Sequence, residues 1–226
     1  MHKMIKSPVV ILMLSVLVIH ATPADAQRKI IEGAITYTVS YELPAEKQQY
    51  AGMLPKEIVC YFRGDSTAAI VNQGEATVKG VSVFKADYHS LIIDVPSAGK
   101  KMVVVLTPGE VAQEKAAGPQ FTGKKSTETQ VINGYKCTKV AVTDPKTSVT
   151  YEAWVTDDIA VPPTSVSRAV SMFGGVPVKF VTFNNGVKIN AEIKEIKEEA
   201  VPAGFFTASK DYEPISYTDL KTMGGN

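Results

Sequence analysis

From Ile31 to Leu43, side chains of two kinds alternate without a break. Ile31, Gly33, Ile35, Tyr37, Val39, Tyr41 and Leu43 fall on one side, and Glu32, Ala34, Thr36, Thr38, Ser40 and Glu42 on the other. A period of two sustained this long suits an extended strand with one face in a core, and no helix. Similar runs recur at Glu57–Arg63, Ser66–Asn72, Ala76–Lys85, Tyr88–Val95, Lys101–Thr107, Thr127–Ile132, Tyr135–Thr143, Val149–Thr156, Val176–Phe183 and Val187–Lys197. Asn133-Gly134 and Asn185-Gly186 sit between neighbouring runs, and Asn-Gly accepts the positive φ angles of a type I′ hairpin turn. No strand–helix–strand alternation appears, which excludes a parallel sheet. The expected fold is mainly β: a large curved antiparallel sheet, a half-barrel, wound as a meander with one or two short helices on its concave face.

Two segments supply those helices. Ala45–Leu54 reads as a short helical or irregular link. Ser165–Phe173 places Val166, Ala169, Val170 and Phe173 at helical spacing before Gly174-Gly175 stops it. Pro108 opens a further short helix through Ala117, since proline suits a first helical turn.

The first 26 residues read as a signal peptide. Lys3 and Lys6 precede an apolar run from Pro8 to Ile19, and Ala24-Asp25-Ala26 offers a cleavage site. The run is too short to span a bilayer, which takes roughly 20 residues, and no cysteine follows it to carry a lipid. The expected product is one domain, residues 27–226, periplasmic or secreted and without a transmembrane segment after processing. The whole chain has 24 Lys and Arg against 23 Asp and Glu. With the charges balanced, nothing points to a nucleic-acid partner.

Chemistry-bearing motifs are few. There is no GxSxG, HExxH, CxxC or phosphate-binding loop. Outside the leader His89 is the sole histidine, and with Asp87 and Ser90 it makes a triad on paper only, because His89 and Ser90 point to opposite faces of a strand. One histidine and two separated cysteines make no zinc site, and Asp157-Asp158 alone makes no calcium site. The reading is therefore no enzyme, no metal and no cofactor. Cys60 and Cys137 each lie in a strand-like run and are either bridged or buried free thiols.

What remains is apolar. A curved sheet under a helix either fills with side chains or keeps a cavity. If a cavity is kept, its candidate lining is Tyr37, Tyr41, Met53, Leu54, Phe62, Val170, Met172 and Phe173, and the Ser165–Phe173 helix is a candidate lid. The expected function is then binding of an apolar ligand or an acylated, lipoprotein-like partner. If the core is filled, the alternative is an envelope interaction module that meets its partner through loops or a strand edge.

Asn133-Gly134-Tyr135-Lys136-Cys137-Thr138-Lys139-Val140, followed by Tyr151-Glu152-Ala153-Trp154-Val155-Thr156-Asp157-Asp158-Ile159, resembles a family of secreted bacterial proteins of unknown function. Met53-Leu54-Pro55-Lys56 and Val201-Pro202-Ala203-Gly204-Phe205-Phe206 extend that resemblance over most of the chain. The family is similar in architecture to the LolA/LolB half-barrels, periplasmic carriers that hold lipoprotein acyl chains under helices. This resemblance implies a half-barrel with lipid-binding capacity and assigns no residue a role.

Overall fold

A computed structural model describes residues 28–184 and 186–223; the expected leader and its cleavage site lie outside them. The strands are β1 (Arg28–Lys29), β2 (Glu32–Glu42), β3 (Glu57–Arg63), β4 (Ser66–Gln73), β5 (Ala76–Val83), β6 (Tyr88–Val95), β7 (Lys100–Val105), β8 (Thr122–Ile132), β9 (Tyr135–Thr143), β10 (Thr150–Thr156), β11 (Ile159–Ala160), β12 (Val176–Asn184), β13 (Val187–Lys197) and β14 (Glu213–Pro214). Twelve of them form one open sheet in the order β14-β7-β6-β5-β4-β3-β2-β13-β12-β10-β9-β8, while β1 and β11 pair separately. This is the expected mainly-β half-barrel, with a correction to its winding. It is two meanders rather than one, joined where β2 pairs β13, and the β14–β7 and β1–β11 pairings are parallel.

The period-2 pattern works as the alternation requires. Ile35, Tyr37 and Val39 are buried on one face of β2, while Thr38 and Ser40 on the other are exposed. The register carries that inner face across the sheet through Tyr37↔Ile58, Cys60↔Ala69, Gly80↔Leu91 and Leu91↔Val104 on one side, and Tyr37↔Ile193 on the other. At the β8–β9 turn Asn133 and Gly134 both take positive φ, 50° and 84°, as a type I′ turn demands.

The outer face differs between the halves. Over β10, β12 and β13 it is wet and charged, with a Lys179–Glu192 ion pair. Over β3–β7 it is apolar, and the chain after β13 covers it. Val201 and Phe206 are buried there with Ala68, Val81, Ile92 and Val103.

The helices are shorter than the spacing suggested. Ala45–Met53 is a 3-10 helix with no buried residue, so it edges the inner face rather than packing into it. α1 (Pro108–Ala117) has the expected proline start and a capping box in which Thr107 and Glu110 exchange hydrogen bonds. α2 is only Arg168–Ser171, one turn inside the expected Ser165–Phe173 helix. Thr164 and Ser167 hydrogen-bond each other's backbone and side chains, closing a tight turn where a helix would have begun. α3 (Tyr217–Met223) ends the described chain. Cys60 and Cys137 are buried free thiols, which settles their open pairing.

Candidate functional site: a cleft on the inner face

The inner face has both fates at once. Around the β2–β13 junction it is filled: Tyr37 meets Phe180 edge-on with ring centroids 5.9 Å apart, and Phe62, Cys60 and Val170 are fully buried beside them. Tyr37 donates to or accepts from Thr164 Oγ1 at 3.2 Å, and burial pushes its phenol pKa well above the usual value.

Further along, the side chains become small. Ala69 and Gly80 are register partners on the inner face, and neither reaches far from the sheet. A cleft of about 650 Å³ opens there. Its floor is Ile58, Ala69, Val71, Val78, Gly80 and Leu91, and Ile189 and Thr182 close the far side. Tyr41 also faces it, its phenol pKa raised by burial. Tyr50 and Leu54 from the 3-10 segment and Val166 from before α2 form the rim. Lys47 and Glu114 are the charged residues at the opening.

Of the eight residues expected to line a cavity, Tyr41 and Leu54 do so. Tyr37, Phe62 and Val170 lie in the filled end, each at 0% exposure. Met53 and Met172 face outward at 59% and 70% exposure. Phe173 rests on Gly123 of β8, so the lid expected of it does not form over the cleft. Ala69 and Gly80 were missed because a small side chain in a strand carries no signal of its own, and Ile58, Val71, Val78 and Leu91 because an aliphatic side chain on the inner face of a strand reads the same whether it packs in a core or floors a cleft. Only the register shows that Ala69 and Gly80 are neighbours.

At one end of the floor lies a polar group. One same-face step beyond Gly80↔Leu91 is the pair Ser82↔His89, with Ser82 Oγ 2.9 Å from His89 Nδ1. Burial holds the His89 pKa below its ordinary value, helped by the positive charges of Arg168 and Lys115 and opposed by Asp87. Asp87 Oδ1 is 3.8 Å from Nε2, beyond hydrogen-bond reach. Ser90 is buried on the opposite face, so the paper triad is not assembled. Among the described residues no group of three or more His, Cys, Asp or Glu could hold a metal ion, and no helix is long and apolar enough to cross a membrane.

No protein-family model matches the chain, and no curated protein matches it. Among solved structures the chain is similar to PNGF-II, with a TM-score of 0.52 and 19% identity, over 85% of this chain and 32% of that one. The chain thus spans about a third of PNGF-II, and the likeness is one of fold alone. LprF from Mycobacterium bovis aligns at a TM-score of 0.33 and 10% identity, covering 78% of this chain and 90% of that one; at that score the alignment carries no argument about function.

Proposed function

We propose that this protein is a non-catalytic binding protein of the periplasm or extracellular space, holding an acyl chain in the inner-face cleft, either free or attached to a lipoprotein-like partner. The observation that carries the reading is the unfilled cleft of about 650 Å³ with a floor of aliphatic side chains. Ligand cavities commonly fall in this range, with apolar walls and few polar groups. Burying about 300 Å² of apolar ligand surface there contributes roughly 8 kcal/mol before the costs of association. The architecture expected from the LolA/LolB resemblance agrees with such a role.

The test is titration with a fluorescent long-chain fatty acid. The unaltered protein should bind saturably. Ala69→Phe, which fills the floor from its centre, should remove binding while the far-ultraviolet circular dichroism stays unchanged. Failure of the unaltered protein to take up any acyl chain or acylated peptide overturns the reading. It would favour the interaction module, for which β8 is the available surface: an edge strand of eleven residues, paired only to β9 and exposed almost throughout.

A further inference from the structure

The inner face changes character along β12. Val178 and Phe180 are buried and apolar, and the next residue on that face is Thr182, 8% exposed. Its row runs across three strands, because Thr182 pairs with Ile189 and Ile189 with Tyr41. The row before it, Phe180, Ala191 and Val39, belongs to the filled end. Thr182, Ile189 and Tyr41 all line the cleft, so this is the row at which packing stops and the cleft begins.

Two hydroxyls stand in that row, and neither has a hydrogen-bond partner among the described residues. Burial is the whole cause of the raised Tyr41 pKa, with no bond to offset it. Ser90 has a hydroxyl left unpaired in another way, sealed among packed side chains. Thr182 is not sealed, and its Oγ1 opens into the cleft. Valine would fill a strand position of this shape without a polar atom, so packing gives no reason for threonine here. Buried hydroxyls are ordinarily bonded, and an unmade bond is costly. A ligand that seals Thr182 from water leaves that cost standing unless it brings an oxygen acceptor of its own. The floor is different: it is aliphatic from Ile58 through Ala69 and Gly80 to Leu91. Leu91 on β6 lies four strands from Tyr41 on β2, about 19 Å along the sheet. The cleft therefore has a hydroxyl-bearing wall at β2, β13 and β12 and an apolar floor leading away from it.

We propose that the Thr182 hydroxyl, assisted by that of Tyr41 across Ile189, donates to the carbonyl oxygen of the bound acyl group, whose chain runs from this row over the Ala69 and Gly80 floor. The ligand is then recognised by its carbonyl as well as by its hydrocarbon, and an alkyl chain without that oxygen is discriminated against. This rests on the acyl-binding reading of the cleft. The carbonyl is common to a free fatty acid and to a chain attached to a partner through an ester or amide.

The experiment titrates three twelve-carbon ligands by calorimetry: dodecanoate, N-dodecanoylglycine amide, and dodecyltrimethylammonium, which has no hydrogen-bonding atom. A neutral hydrogen bond is worth roughly 3- to 10-fold in affinity. Thr182→Val should weaken both acyl ligands by that factor relative to dodecyltrimethylammonium. Tyr41→Phe should do so to a lesser extent, and Thr182→Ser, which keeps the hydroxyl, should retain the ratio of the full protein. The infrared band of a ¹³C-labelled dodecanoyl carbonyl, bound to the protein, should move to higher frequency in Thr182→Val as its donor is lost. Whichever acyl ligand the full protein binds more tightly tells whether the free acid or the attached chain is preferred. Thr182→Val removes an unpaired hydroxyl and should melt no lower than the full protein. If it nevertheless misfolds, the carbonyl band in Tyr41→Phe decides, rising if the row holds the carbonyl and unmoved if it does not. An acyl-to-ammonium ratio or a carbonyl band unchanged in Thr182→Val overturns the contact and leaves the cleft reading intact. Binding of none of the three ligands overturns both.

Discussion

Phe173 lies across Gly123: a Cβ placed on Gly123 comes within 2.5 Å of Cδ1 of the Phe173 ring. The contact fixes the chain after α2 to the start of β8, and it holds Phe173 away from the cleft. Gly123→Ala should therefore cost about 1–2 kcal/mol, because the ring must leave its rotamer or the strand must shift. Phe173→Ala in the same chain should recover part of that loss. Chemical denaturation of both single variants and the double variant measures the coupling, and strict additivity would show that the two do not touch in solution.

Gly33 makes a closer approach. A Cβ there would stand 2.1 Å from the carbonyl oxygen of Lys197, where β2 meets the end of β13. Backbone cannot yield as a side chain can. Gly33→Ala should destabilise by about 3 kcal/mol or more, beyond the effect at Gly123. A midpoint within a few tenths of a molar of the unaltered protein in guanidinium would contradict this.

The segment after β13 closes the outer face of β3–β7. Phe206 is buried against it, Arg63 stands over that ring at 5.5 Å, and Arg63 Nη1 donates to the Val201 carbonyl at 3.1 Å. Phe205 takes Lys79 in the same way, with Nζ 4.7 Å from its centroid and a hydrogen bond to its carbonyl. Phe206→Ala should cost about 3–4 kcal/mol. Deletion of residues 200–226 should bare Ala68, Val81, Ile92 and Val103 and give a protein that binds a hydrophobic dye and aggregates. A truncated chain that stays monomeric with an unchanged melting temperature would show that the cover is dispensable.

The strands were legible because alternation is a local property. Glu57–Arg63 and Tyr88–Val95 fall where the pattern put them. β8 began five residues earlier than expected because Thr122-Gly123-Lys124-Lys125-Ser126 has no apolar face to alternate; it is an edge strand held by β9 alone. The Ser165–Phe173 helix shortens to α2 because helical spacing of Val166 and Val170 does not fix the hydrogen bonding: the Phe173 and Gly174 amides bond only three residues back, to Val170 and Ser171, and the α-helical ladder stops there. The cover over the outer face was invisible for another reason. Val201, Phe205 and Phe206 have no period, and their burial depends on where a distant sheet presents its second apolar face. Tyr41 and Leu54 were found in the cleft by their type, whereas Ala69 and Gly80 act through what they lack.

Cys60 and Cys137 make stability depend on alkaline pH. Both thiols are fully buried and free. Burial pushes Cys60 up to about 12, against hydrogen bonding with Thr164 and Val166 that lowers it, and pushes Cys137 up to about 11. An unfolded thiol ionises near ~8.5. Between that value and the raised native ones, the unfolded chain has released protons that the native chain keeps. Stability is therefore whole below about pH 8.5 and falls as pH rises toward the native values. At pH 10 the loss should be about 2 kcal/mol per thiol. Guanidinium unfolding of the full protein at pH 7 and pH 10 should show it, and the Cys60→Ala, Cys137→Ala double variant, though weaker at pH 7 through its cavities, should lose less between the two. The remaining alkaline loss of the variant reports buried phenols, Tyr37 first, whose pKa is also raised. A thiol label should leave both cysteines untouched in the native protein and modify both on unfolding without reductant. Equal pH dependence of the two proteins would mean that the thiols ionise as readily folded as unfolded, which a buried site does not permit.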